Sequence, residues 1–158
     1  VRECQHVQKQ FNIGNSGRRL EAEERDFRLS EVQKLLCSSI EAFNVQNFKR
    51  AEQHLSSAIE LDPENHVFYS NRAAAYMAME KFDKALKDAN ECVRLQPTWA
   101  KGYSRRAAAK FHLGDLQAAK IAYSKAWDLE PANVKTKADL EHVLSEIAGM
   151  RVVLPDRN

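Results

Sequence analysis

Three stretches of the chain end on the same punctuation: AIELDPEN at Asn65, CVRLQPTW at Trp99 and AWDLEPAN at Asn133, with prolines at 63, 97 and 131, so that 97 − 63 = 34 and 131 − 97 = 34. A period of 34 residues without insertion means one supersecondary unit used repeatedly, each copy burying its apolar face against the next. Laid over one another, the units stack Ala51, Ala85 and Ala119 in one column, and Ala58, Cys92 and Ala126 in a second. Ser39, Ala73 and Ala107 form a third column, Phe48, Phe82 and Leu116 a fourth, and Leu61, Leu95 and Leu129 a fifth. Small residues at fixed positions let two helices approach closely, and the large ones fill the gap beside them.

The punctuation sets the helix limits. A proline cannot continue a helix, and Asn65, Thr98 and Asn133 are placed to accept a hydrogen bond from an orphan N–H of the next one. Gly114–Asp115 marks a stop and a new start inside the third unit, and Asn47 holds the position of Asp115 in the first. These signals predict helices near 31–45, 48–61, 66–79, 82–95, 100–113 and 116–129. A seventh is expected over 134–148, with Leu140, Val143, Leu144 and Ile147 on one face and Gly149 as its stop. Ahead of the repeats, residues 1–30 form a leader in which NIGNSG is expected to break a short amphipathic helix. A charged run, RRLEAEERDF, follows it. Residues 150–158 read as a tail.

The expected fold is therefore all-α: an α-solenoid of three helix pairs, about 32–65, 66–99 and 100–133, closed by a capping helix. The period and columns resemble the tetratricopeptide repeat family, whose 34-residue unit is a pair of antiparallel helices; the resemblance implies a right-handed solenoid.

Composition excludes several functions. Against 44% hydrophobic residues the chain carries 24 Lys and Arg and 22 Asp and Glu, a net charge of +2, too balanced for binding driven by phosphate neutralisation, so no nucleic-acid partner is expected. No apolar run approaches the roughly 18 residues of a membrane span, and no membrane insertion is expected. Cys4, Cys37 and Cys92 fit neither a zinc pattern nor a disulfide framework, which points to a reducing, cytoplasmic compartment. The chain starts on Val1, as expected of a fragment. The histidines lack metal spacing and no phosphate-binding glycine loop occurs, so no enzyme activity, metal or cofactor is expected. Cys37 and Cys92 read as packing thiols, and Tyr69, Tyr76 and Tyr103 as packing residues between neighbouring helices.

Binding is expected on the inner face, which the first helix of each pair lines. In the third unit the stripe at helical spacing carries Lys101, Ser104, Arg105, Ala108 and Phe111; in the second it carries Ser70, Asn71, Ala74 and Met77. Lys101 and Arg105 are one turn apart, so their cationic heads can converge on one anion. The segments HVFYSNRAAAY and WAKGYSRRAAA are similar to the chaperone-binding repeat domains of Hsp-organising co-chaperones. That resemblance implies a carboxylate clamp for an EEVD-type chaperone tail. Its last three positions match Asn71, Lys101 and Arg105, and its first two, a lysine and an asparagine, fall on Leu36 and Ile40.

Leu36, Ile40 and Phe43 form an apolar stripe instead, which either meets a ligand side chain or packs beneath the leader. Three functions remain: a co-chaperone module holding an acidic tail, a scaffold for a more apolar segment, or a groove occluded by the chain's own EAEERD run at residues 21–26.

Overall fold

The computed structural model describes the backbone of residues 2–152 and the side chains of residues 20–149. These contain seven helices and no strand: α1 (Arg2–Asn44), α2 (Phe48–Leu61), α3 (His66–Ala78), α4 (Phe82–Leu95), α5 (Ala100–His112), α6 (Leu116–Leu129) and α7 (Val134–Val152). Each packs chiefly on its neighbours in sequence, and α3 also touches α5. The result is an α-solenoid of three helix pairs with α7 laid over the open end.

The repeat columns are its packing surfaces. Ala51, Ala85 and Ala119 have no exposed surface, nor do Ala58, Cys92 and Ala126. Ser39, Ala73 and Ala107 are buried as well. Gly102 shows how tight the approach becomes: a Cβ there would lie 3.1 Å from Cys92 Sγ and 3.2 Å from Val93 Cγ2.

Within every pair the corner is built identically. Gln46, Glu80 and Gly114, spaced by the repeat, take the left-handed conformation at φ 57°, 57° and 81°. The next residue donates back to the last helical turn: Asn47 N to Ala42 O at 2.8 Å, Lys81 N to Tyr76 O at 2.8 Å and Asp115 N to Lys110 O at 3.0 Å. These are the paired bonds of a Schellman stop, which satisfy carbonyls that the helix end leaves unbonded. Asn47 and Asp115 then cap α2 and α6, accepting from Arg50 N and Ala118 N at 3.1 Å each.

Three expectations need correction. NIGNSG does not break the leader, since one helix runs from Arg2 to Asn44. Glycine and asparagine only lower helix propensity, whereas proline, absent before Pro63, blocks it. Residues 20–30 are exposed, and burial begins at Glu31. At the other end, Gly149 does not stop α7, which continues to Val152; of the expected tail, residues 153–158 lie outside the described residues. Finally, Thr98 is not a cap. The position equivalent to Asn65 and Asn133 is Trp99, whose indole cannot accept, so α5 begins without a side-chain cap. Asn65 and Asn133 do cap, accepting from Val67 N at 3.2 Å and Thr136 N at 3.1 Å.

An ion pair inside the second unit is tied to the first unit by a serine hydroxyl. Arg72 on α3 bonds Asp88 on α4 through Nε at 2.7 Å and Nη2 at 2.8 Å, and Ser56 on α2 through Nη1 at 3.0 Å. The pairing raises Arg72 above the ordinary arginine pKa despite its desolvation.

Candidate functional site

Between α5 and α7 the solenoid opens into a groove of about 940 Å³. Lys101, Ser104, Arg105, Ala108 and Phe111 line its α5 wall, so the third-unit stripe expected from the sequence is brought together on one surface. The opposite wall comes from α7: Lys135, Thr136, Asp139, His142 and Val143. Tyr123 and Leu129 of α6 also line it, with Trp99, Glu130 and Asn133 from the connecting turns.

The two cations are the unusual feature. Arg105 is half-buried, and its Nε is inaccessible to water without a hydrogen-bond partner among the described residues. Neither Lys101 nor Arg105 takes part in an ion pair with an acid among those residues. Desolvation, followed by repulsion from Arg105, pulls Lys101 below the ordinary lysine pKa; desolvation likewise lowers Arg105. A buried charge without a partner is costly, and the paired Arg72 shows that this chain can neutralise an arginine where the fold requires it.

The wall fixes where the cations sit. Lys101 Nζ lies 5.7 Å from the Trp99 ring centroid, within cation–π range, and Trp99 is held edge-on against His66 with ring centroids 4.6 Å apart. Ser104 Oγ lies 3.4 Å from Thr136 Oγ1, linking α5 to α7. The groove's acids are not aimed at the cations: Asp139 is bound by Lys135 at 3.1 Å, and Glu130 accepts from Asn133 Nδ2 at 3.0 Å. Beneath the site burial pushes the Cys92 thiol up to about 11, which makes it a packing group rather than a nucleophile. Burial also raises Tyr123.

The remaining residues of the expected site stand apart from this groove. Asn71 and Ala74 are half-buried on α3 and do not line it; Asn71 makes no side-chain hydrogen bond among the described residues. Leu36 packs against Leu55, Ala58 and Phe68, and Phe43 sits edge-on against Phe48 with centroids 5.3 Å apart, so both serve the core. Ile40 is 50% exposed. The EAEERD run is displaced from the site altogether: Glu23 and Glu24 line a separate apolar cleft with Leu20, Phe27 and Leu61, and no residue of the run reaches the groove. Self-occlusion by that run is therefore excluded in this structure.

Sequence reasoning missed the α7 wall. Its signal was present, because Thr136, Asp139 and Val143 follow helical spacing, but the apolar stripe beside them reads only as a cap.

A tetratricopeptide repeat family model matches residues 67–98 and a second matches residues 100–133. The solved first repeat domain of Spaghetti (RPAP3), bound to the HSP90 peptide SRMEEVD, is 32% identical with a TM-score of 0.73, over 75% of this chain and 94% of that one. The chain belongs to the tetratricopeptide repeat (TPR) family. Among curated relatives, the Hsp70-Hsp90 organizing protein of Triticum aestivum is 48% identical over 99 residues, 63% of this chain and 17% of that protein. Heat shock protein STI1 of Saccharomyces cerevisiae is 45% identical over 103 residues, 65% of this chain and 18% of that protein. This TPR chain thus spans about a fifth of the length of the curated relatives it matches.

Proposed function

We propose that this TPR chain is a cytoplasmic, co-chaperone-type binding module, without catalytic chemistry of its own, that takes the acidic C-terminal tail of a heat-shock chaperone into the α5–α7 groove. The observation that carries this reading is the pair Lys101 and Arg105 on one groove wall, Lys101 exposed and Arg105 half-buried with its Nε shut off from water, and neither meeting an acid among the described residues. An incoming carboxylate supplies the missing acceptor for the Arg105 fork and the counter-charge for both heads. Asn71, in the column of Arg105 one unit earlier, orients the ligand main chain through its amide. The SRMEEVD peptide on the Spaghetti domain and the chaperone-organising relatives support the same class of ligand.

Because Leu36 and Ile40 offer no donors, the affinity rests on the third unit. Each charge-assisted hydrogen bond contributes about 1.5–3 kcal/mol, so Lys101→Ala should weaken SRMEEVD binding by about ten- to a hundredfold in fluorescence anisotropy. Binding that is undiminished in Lys101→Ala and Arg105→Ala together would remove the reading.

A further inference from the structure

Because the units superpose at 34 residues, the groove wall of the third unit identifies its counterparts in the first. Lys101 corresponds to Gln33, Ser104 to Leu36, Arg105 to Cys37 and Ala108 to Ile40. Of these, Leu36 is spent on the core, while Gln33, Cys37 and Ile40 are exposed. The first-unit end of the concave surface therefore presents an amide, a thiol and an aliphatic group, with no cation. The nearest one, Lys34, is bonded to Glu31 at 2.7 Å.

Within these columns the first and second units carry no cation and the third carries two. A chain ending in aspartate brings two carboxylates, its side chain and its terminus, and each needs charged donors to offset its lost hydration. Lys101 and Arg105, one turn apart, make one such site; the earlier units add no cation in these columns, and Lys135, next in the Lys101 column, is bonded to Asp139 at 3.1 Å.

Resting on the function proposed above, we infer that the groove reads one acidic side chain and not the ligand's terminal carboxylate, so that it also accepts acidic segments whose chain continues or whose end is blocked.

The test is titration of the 158-residue chain with three labelled ligands: SRMEEVD as free acid, the same peptide amidated, and the same peptide extended by Gly-Ser-Gly. Dissociation constants within about threefold of one another are expected, the residual spread being the screened effect of one charge. A free acid that binds about tenfold tighter than both others would overturn the inference and leave the chaperone-tail reading standing. Absence of binding by all three would remove both together. Ile40→Asn, a change at an exposed position, adds a second check. It should shift the free acid and the amide by the same factor, since neither presents its terminus to Ile40. A gain of about fivefold or more for the free acid alone would place the terminal carboxylate at Ile40 and overturn the inference.

Discussion

Replacing Asp88 with alanine is expected to cost this chain more stability than any surface charge change. The Asp88 side chain is 6% exposed and that of Arg72 18%, and the two share a bidentate pair at 2.7 and 2.8 Å. Removing the carboxylate strands a guanidinium in a poorly hydrated site, a loss that runs at about 3–5 kcal/mol for buried pairs. Arg72 retains Ser56 Oγ at 3.0 Å and lies 5.8 and 5.9 Å from the rings of Tyr69 and Tyr76, which puts the expected loss near the lower end, about 3 kcal/mol. For a chain of this size that is a fall in Tm of about 6–12 °C. Urea unfolding followed by circular dichroism reads it as a lower midpoint at unchanged slope. The loss should persist in high salt, because the pair is shielded from ions. By contrast Glu91→Ala, which breaks an exposed pair with Arg94, should cost under about 0.5 kcal/mol. Arg72→Met combined with Asp88→Leu should recover most of the loss. A cost below about 1 kcal/mol for Asp88→Ala, or a double variant as unstable as the two single changes summed, would refute the reasoning.

The backbone offers two further predictions. Glu80→Gly should raise stability by about 0.5–1 kcal/mol in the same assay, since Glu80 holds φ 57° at the corner where the third unit uses Gly114; an unchanged midpoint would contradict a strain account. Gly102→Ala should cost about 1–3 kcal/mol, because its Cβ meets Cys92 Sγ at 3.1 Å, and Cys92→Ala should relieve part of that cost when combined with it.

The helices from α2 to α6 are legible in the sequence to within a residue, because proline, capping side chains and small-residue columns recur together at one period. Where a single signal stood alone it misled. Gly14 and Gly17 read as a break inside α1, and Gly149 as the end of α7, yet glycine lowers helix stability by only about 1 kcal/mol and stops nothing without other support. The left-handed corners at Gln46 and Glu80 are invisible in composition. Their shape comes from the Schellman bonds and the packing of the pair, not from the residue that adopts it.

For the site, spacing placed Lys101, Ser104, Arg105, Ala108 and Phe111 on one face correctly. It could not tell that Leu36 turns into the core, since an apolar residue on a half-buried stripe has the same pattern in either role. Nor does any sequence pattern separate Arg72, neutralised by an acid 16 positions away, from Arg105, which no acid among the described residues meets.

That contrast makes Arg105→Met the most direct measurement. If Arg105 is kept charged and unpartnered for a ligand, the apolar replacement should leave the free chain as stable or more stable, by about 1 kcal/mol in urea unfolding, while weakening SRMEEVD about tenfold or more. A variant that loses stability and still binds the peptide at full strength would contradict the account.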